Sequence, residues 1–390
     1  RDLVRSRGLG DVYKRQGVLV LGLCLGMKPG NIPWDVIMII GSVIAAISAM
    51  QLAGGLEYLV YIAEKILYKN PKYINYLAPI VTYVLTIFAG TGHTAFSMIP
   101  VIVEVAKGEN IRPSVPLSMS VVSSQVAITA SPVSAAAIFM TGALEPFGWS
   151  YPTLLGIWIL TTFVGCMLTA FIMTHISKLD LSSDPIYQER LKEGLVKPPV
   201  GLQEMVITPT AKLSVWIFLV GVLCVVAYAS AISPAVGLIK PVVVPRDAAI
   251  ISLMLAVGAL ITIFCKIKLG DVAGTSVFKS GMVACICVLG VAWLGDTFVS
   301  GHTKEIKDFA SHTISQYPAL LAIVFFLASM LLYSQAATAK GITPTVIAAL
   351  GITTANPDNS YMLVACFAAV SGIFVLPTYP TVLGAIQMDD

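Results

Sequence analysis

Phe88-Ala-Gly-Thr-Gly-His93 breaks one long apolar run, residues 73–106, and Tyr333-Ser-Gln-Ala-Ala-Thr-Ala-Lys340 breaks another, residues 317–350. Each arm beside a break has roughly 14–17 residues, short of the ~20 that a helix needs to cross a ~30 Å hydrocarbon layer. Polar backbone at such a tip is tolerated at membrane depth only where it faces protein or a wet cavity. Each run therefore predicts a re-entrant hairpin that enters and leaves on one side.

The surrounding sequence fits that setting. Of 390 residues, 57% are hydrophobic and 12% charged, with a mean hydropathy of +0.86. A soluble domain carries about 25% charge. The composition excludes an ordinary cytosolic globule, a disordered chain and a nucleic-acid binder. It implies an all-α polytopic membrane protein whose partner is the lipid bilayer. Spans are expected at 36–55, 114–143, 151–175, 212–232, 246–265, 278–300 and 361–387. Leu56–Asn70 reads as an amphipathic helix at the interface, with Glu57, Glu64, Lys65 and Lys69 on its polar face. Residues 176–211 form the one long hydrophilic loop.

The formal charge of +3 resides in Arg1–Gln16, which holds five basic and two acidic residues and has no apolar period. This segment reads as non-native, the alternative being a basic tail. The apolar stretch Gly17–Met27 is half a span, and the chain stops at Asp389-Asp390 beside an apolar run, so truncation is expected at both ends. The seven cysteines lie in or beside apolar runs without a CxxC pair, and read as small hydrophobes.

The two interrupted regions resemble each other. Thr94-Ala95 and Pro100 lie 244 residues before Thr338-Ala339 and Pro344, and Ser131–Ile138 lies 248 residues before Tyr379–Ile386. The order span, hairpin, Pro-interrupted helix occurs twice. Five crossings separate the two starts, an odd number, so the second unit is expected upside down relative to the first. Inverted repeats with broken helices meeting near the midplane characterise secondary transporters. The expected organisation is a first repeat over 17–143, connecting spans over 144–277, and a second, inverted repeat over 278–390.

Lys/Arg placement supports this topology. Loops 56–72, 107–113, 176–211 and 266–277 carry eleven, whereas 28–35, 144–150, 233–245, 301–316 and 351–360 carry four. The excess places the long loop 176–211 in the cytoplasm.

Four polar stretches are expected to converge where the repeats meet. They offer Thr91, Gly92, His93 and Thr94; Ser124, Gln125, Thr129 and Ser131; Ser334, Gln335 and Thr338; and Thr378, Tyr379 and Thr381. Hydroxyls, amides and the orphan N–H groups of half-helix N-termini suit a carboxylate, and two facing ends suit a dicarboxylate. Pro132, Pro377 and Pro380 break the helical ladder and free carbonyls. The same parts serve neutral solutes and ions, or a plain Pro kink packed against small residues. Ionisable groups inside a membrane are costly and usually functional. His93 is a candidate hydrogen-bond donor or proton carrier, Asp296 a candidate for a coupling cation, and Lys340 a candidate counter-charge. Each has a plainer alternative: a His satisfied by carbonyls, a carboxylate near the interface, a snorkelling Lys.

No G-x-G-x-x-G follows a strand, and neither a Walker lysine loop nor H-E-x-x-H occurs, so the reading is not that of an enzyme. No catalytic residue, metal site or cofactor is assigned, and the choice between H⁺ and Na⁺ as coupling ion stays open. Without an ATP site, transport must run on gradients or exchange. A channel for anions or small solutes is the competing reading.

Several segments carry a family resemblance: Lys28-Pro-Gly-Asn-Ile-Pro, Asn70-Pro-Lys-Tyr73, Phe88–His93, Ala127-Ile-Thr-Ala-Ser-Pro-Val-Ser134, Gly290-Val-Ala-Trp-Leu-Gly-Asp-Thr, Tyr333–Lys340 and Leu376-Pro-Thr-Tyr-Pro-Thr381. Together they resemble the Dcu family of bacterial anaerobic C4-dicarboxylate transporters, and within it the aspartate/fumarate type, over residues 17–390. The resemblance implies an inner-membrane, multi-pass carrier that exchanges or takes up fumarate, succinate, malate and aspartate during anaerobic growth. Analogy with the ion-transporter superfamily adds an elevator-like architecture, paired hairpins and a homodimeric scaffold. The family pattern carries a first helix where Arg1–Gln16 stands and a final helix after Asp390.

Overall fold

The computed structural model describes residues 16–30, 32, 34–92, 95–177, 180–193, 207–233, 236–287, 289, 293–302, 317, 319–332, 334–376 and 379–389. Among these residues the fold is helical and contains no strand. A short helix α1 (Gln16–Leu25) precedes α2 (Trp34–Leu52), α3 (Gly55–Lys69), α4 (Ile74–Ala89), α5 (Ala95–Gly108), α6 (Ser114–Val126) and α7 (Ala135–Leu144). Then come α8 (Tyr151–Ile176), α9 (Pro185–Lys192), α10 (Pro209–Ala231), α11 (Arg246–Phe264), α12 (Ser276–Cys287) and α13 (Trp293–Gly301). The last are α14 (Leu320–Leu332), α15 (Gln335–Ala349), α16 (Tyr361–Cys366) and α17 (Pro380–Asp389).

Local chemistry sets the ends of these helices. Ser134, Ser150 and Thr208 accept from backbone N–H groups three residues ahead, starting α7, α8 and α10. Pro152 and Pro209 fit the first turn, where an N–H has no partner to lose. α4 stops where Gly90 turns left-handed at φ 66°, a conformation that glycine adopts without steric cost.

Among the described residues five helical runs are long and apolar enough to cross a membrane: Pro71–Ala89, Ser114–Phe147, α8, α10 and α11. The pair α2 and α3, bent by 73°, makes a sixth if taken together. Apolar side chains cover the outside of these helices, as Leu160 (65% exposed) and Leu168 (58%) show on α8. A monomer in water does not tolerate such a belt, and a bilayer does. The chain is a multi-pass membrane protein.

Two expectations need correction. The first arm of the interrupted run 73–106 is longer than anticipated, because a 3₁₀ turn, Pro71–Tyr73, extends α4 to a 19-residue run. Within 278–300 the described residues lie on α12, at 289 and on α13, and residues 288 and 290–292 lie outside the described residues. Glu64 is not on the polar face of α3; it is buried, 7% exposed. It falls one turn after Val60, inside the stripe Val60, Ala63 and Leu67 that α3 presents to the hairpin. Residues 1–15 lie outside the described residues.

Two packed groups organise the helices. In one, α2 packs against α10, α11 and α12 through Ile39, Ala46, Met50, Val222, Met254 and Val257. Gly258 brings α11 against the α2 backbone, 3.5 Å from Ala46 Cα to a Cβ built there. In the other, α4 and α5 fold back on each other, with α3 on one flank and α6 on the other. α8 covers α4 and α6, while α14 and α15 pack on each other and on Phe367–Phe374.

Loop contacks fall into two sets. Gln51 bonds Ser276 and the Val277 N–H, Asn110 bonds Asp180, and Arg112 pairs with Asp184. Arg246 pairs with Glu145, Trp149 bonds Ser360, and Trp293 bonds the Gly30 carbonyl. The first set joins segments bordering the Lys/Arg-rich loops, and the second joins segments bordering the Lys/Arg-poor ones.

Candidate functional site

The order helix, break, helix, then a helix loosening to 3₁₀ before a second break, occurs twice. First come α4, Gly90–Gly92, α5, α6, Ala127–Ala130, the break at Ser131–Val133, and α7. Later come α14, Ser334, α15, α16, Phe367–Phe374, a break, and α17. Each break starts a new helix, whose first-turn N–H groups lack intrahelical acceptors and carry partial positive charge.

Gln125, at the end of α6 and fully buried, ties these breaks together. Its Nε2 donates to Thr381 Oγ1 at 3.2 Å, 256 residues away at the start of α17. The same nitrogen lies 3.3 Å from Ser124 Oγ. Its backbone carbonyl accepts from Gln335 Nε2 at 2.7 Å, at the start of α15. Gly92, at the first hairpin break, lies so close that a Cβ there would collide with the Gln125 amide. Gln335 Nε2 also reaches Ser371 Oγ at 3.1 Å, in the second 3₁₀ stretch. All four interrupted elements thus meet around one residue, Gln125. Among the described residues Gln125 Oε1 is buried without a hydrogen-bond partner, and the Ser120 hydroxyl on the same helix shares that condition. Buried polar atoms of this kind are rare, and each calls for an explanation.

Other expected site residues serve their own backbone. Thr129 Oγ1 donates to the Val126 carbonyl, Thr338 Oγ1 to the Ser334 carbonyl, and Ser124 Oγ to the Val121 carbonyl. Ser131 Oγ donates to the Ile87 carbonyl at 2.6 Å, pinning the first break to the last turn of α4. Ser334 caps α15 by accepting from Ala337 N. Thr91 and Tyr379 are half-buried beside the breaks. Lys340 is half-buried on α15, its Nζ 6.0 Å from the Phe139 ring centre on α7. Asp296 lies on α13, which packs against α15; its side chain lies outside what is described. His93, Thr94 and Thr378 also lie outside the described residues.

Ser371 was not anticipated from sequence. It sits in Val370-Ser-Gly-Ile373, a lone hydroxyl in an apolar run, and that isolation at membrane depth was its only signal. The junction as described is uncharged and built from amides, hydroxyls and helix ends. Such a surface offers donors to an anion without a salt bridge that would hold it too tightly to release.

Comparison with known proteins agrees. A family model described as an anaerobic C4-dicarboxylate membrane transporter matches residues 4–390. The chain is 63% identical over 386 residues to the C4-dicarboxylate transporter DcuA of Helicobacter pylori, covering 99% of this chain and 87% of that protein. It is 60% identical over 374 residues to the DcuA of Wolinella succinogenes, covering 96% and 84%. It is 53% identical over 374 residues to the DcuA of Escherichia coli, again covering 96% and 84%.

Proposed function

The chain belongs to the anaerobic C4-dicarboxylate membrane transporter family and is a C4-dicarboxylate transporter, and from that premise we propose how it binds and moves its substrate. The diacid docks where the interrupted helices meet around Gln125, with one carboxylate toward the ends of α5 and α7 and the other toward the ends of α15 and α17. Gln125, Gln335 and Thr381 orient it. Thr91, Gly92, Thr94, Tyr379 and Thr378 complete the wall, His93 donates or carries a proton, and Asp296 and Lys340 balance charge. The observation behind this reading is the hydrogen-bonded junction Gly92, Gln125, Thr381, Gln335.

In the same reading the two units are inverted repeats, their hairpins re-entrant. The hairpin-bearing group slides against the α2, α10, α11 and α12 group to give alternating access, as in an elevator. The protein is a homodimer in the bacterial inner membrane, with loop 176–211 in the cytoplasm. It exchanges or takes up fumarate, succinate, malate and aspartate, with no enzyme chemistry. The two packed groups and the two-sided sorting of loop contacts support this arrangement.

Counterflow tests it. Proteoliposomes loaded with succinate should take up labelled fumarate faster than empty ones, with saturation, and an imposed Na⁺ or proton gradient identifies any coupling ion. Non-saturating flux without trans-acceleration would make the protein a channel instead.

A further inference from the structure

Away from the junction, α3 has a second organised face. Tyr58, Tyr61, Ile62, Lys65, Ile66 and Lys69 follow the spacing i, i+3, i+4, i+7, i+8, i+11, which places them on one stripe. That stripe is opposite the one buried against the hairpin. It forms one wall of a groove of about 580 Å³, whose other wall is Ile207 and Lys212 at the start of α10. Lys212 Nζ sits 5.9 Å from the Tyr58 ring centre.

The composition of this groove is specific. Three lysines and two tyrosines supply cationic and hydroxyl donors, while Ile62 (38% exposed) and Ile66 (42% exposed) leave apolar surface among them. A small soluble anion has no use for the isoleucines, and a protein core would not admit the lysines. An anionic lipid satisfies both. Its phosphate meets the ammonium groups, its acyl chains cover the isoleucines, and the lysine stems extend along the apolar surface with their heads at the phosphate level. The groove lies at the elbow of α2 and α3, beside loops rich in Lys and Arg. The cytoplasmic leaflet is where anionic headgroups and basic pockets between helices meet.

We propose that the groove between α3 and the first turn of α10 binds an anionic phospholipid, with Lys65, Lys69 and Lys212 on its phosphate and Ile62 and Ile66 against its chains. The lipid bridges α3, which packs on the hairpin, and α10, which packs on α2 and α11.

The test uses the full-length protein, reconstituted in vesicles of equal phosphatidylglycerol and phosphatidylcholine and re-extracted in mild detergent, with bound lipid counted by mass spectrometry. Phosphatidylglycerol should be retained several-fold over phosphatidylcholine. K65Q/K69Q/K212Q should lose that excess and retain the two lipids near the vesicle ratio, K212Q alone should lose part of it, and the triple Lys→Arg variant should keep it. Added glycerol phosphate at millimolar concentration should not displace the lipid. Bound lipid in the vesicle ratio on wild type, or equal retention by wild type, K212Q and the triple Gln variant, would overturn the proposal. Displacement by glycerol phosphate alone would make this a soluble-anion site and overturn it as well.

Discussion

The two broken units share an order of elements and are closed in different ways. The first is stitched to itself. Ser131 bonds the Ile87 carbonyl, Ser134 bonds the Ile128 carbonyl, and Gly90 lies against Val133, so hairpin and broken helix hold each other. The second unit reaches outward. Gln335 and Thr381 bond the main chain and side chain of Gln125, which belongs to the first unit. Among the described residues the second unit also holds an internal bond, Gln335 to Ser371, and two bonds to Gln125 join it to the first. In the proposed reading the first unit supplies one wall of the pocket and the second a wall joined to it through Gln125.

The first prediction breaks the junction. Gln125→Leu removes an amide that bonds Thr381 and Ser124. At about 1 kcal/mol per side-chain bond, with 1.4 kcal/mol per factor of ten, fumarate counterflow should fall about 30-fold. Membrane insertion, followed by size-exclusion of the purified protein, should be normal.

Gln335→Leu sharpens the contrast from the other half. It leaves the Gln125 carbonyl and Ser371 without their amide partner, and by the same arithmetic apparent fumarate affinity should fall by up to about 30-fold. In the double variant the losses should be less than additive, because both residues serve one junction. Full additivity in a four-way uptake comparison would separate them into independent sites.

Ser131→Ala probes the stitching within the first unit. It leaves a buried carbonyl without its donor, costing about 1–2 kcal/mol of stability. The melting temperature should fall by a few degrees while fumarate affinity changes less than threefold. A large affinity loss at unchanged stability would place Ser131 on the substrate.

The smallest effect lies at the rim, where Asp180 and Asp184 tie the loop after α8 to the turn after α5. The Ser182 hydroxyl and N–H hold the Asp180 carboxyl below its ordinary 3.8. Partial burial raises Asp184, but the Ile186 and Tyr187 N–H groups and Arg112 outweigh it and leave it lowered too. For carboxyls lowered in the folded state, docking is full above the ordinary value and is lost as pH falls through the lowered one. Protection of the Leu181 amide, bonded to the Asn110 carbonyl, measured against its intrinsic exchange rate at each pH, should hold near neutrality and fall below about pH 4. Asp184→Asn should lower it at neutral pH with uptake changed less than twofold.

Much of this was legible in the sequence because membranes restrict the choices. Gly90, Ser131-Pro132 and Ser334 announced breaks because glycine, proline and hydroxyls interrupt runs otherwise apolar. Gln125 and Gln335 stood out as amides at membrane depth. What was not legible is pairing across distance. No spacing rule brings Gln125 to Thr381, and nothing local gave Ser371 a partner. Nor did composition show which hydroxyls serve their own carbonyls, as Thr129 and Thr338 do, since that depends on the rotamer each helix imposes. Glu64 went astray because a polar residue was assigned to a polar face while its neighbours at three and four residues, Val60 and Leu67, set it inside.

The most direct measurement is equilibrium binding of fumarate to the purified protein by titration calorimetry, comparing wild type with Gln125→Leu and each protein's melting temperature. The account predicts saturable binding that weakens at least tenfold in the variant, with melting within a few degrees of wild type. Equal affinity for fumarate in the two proteins would contradict a substrate site at the meeting of the broken helices.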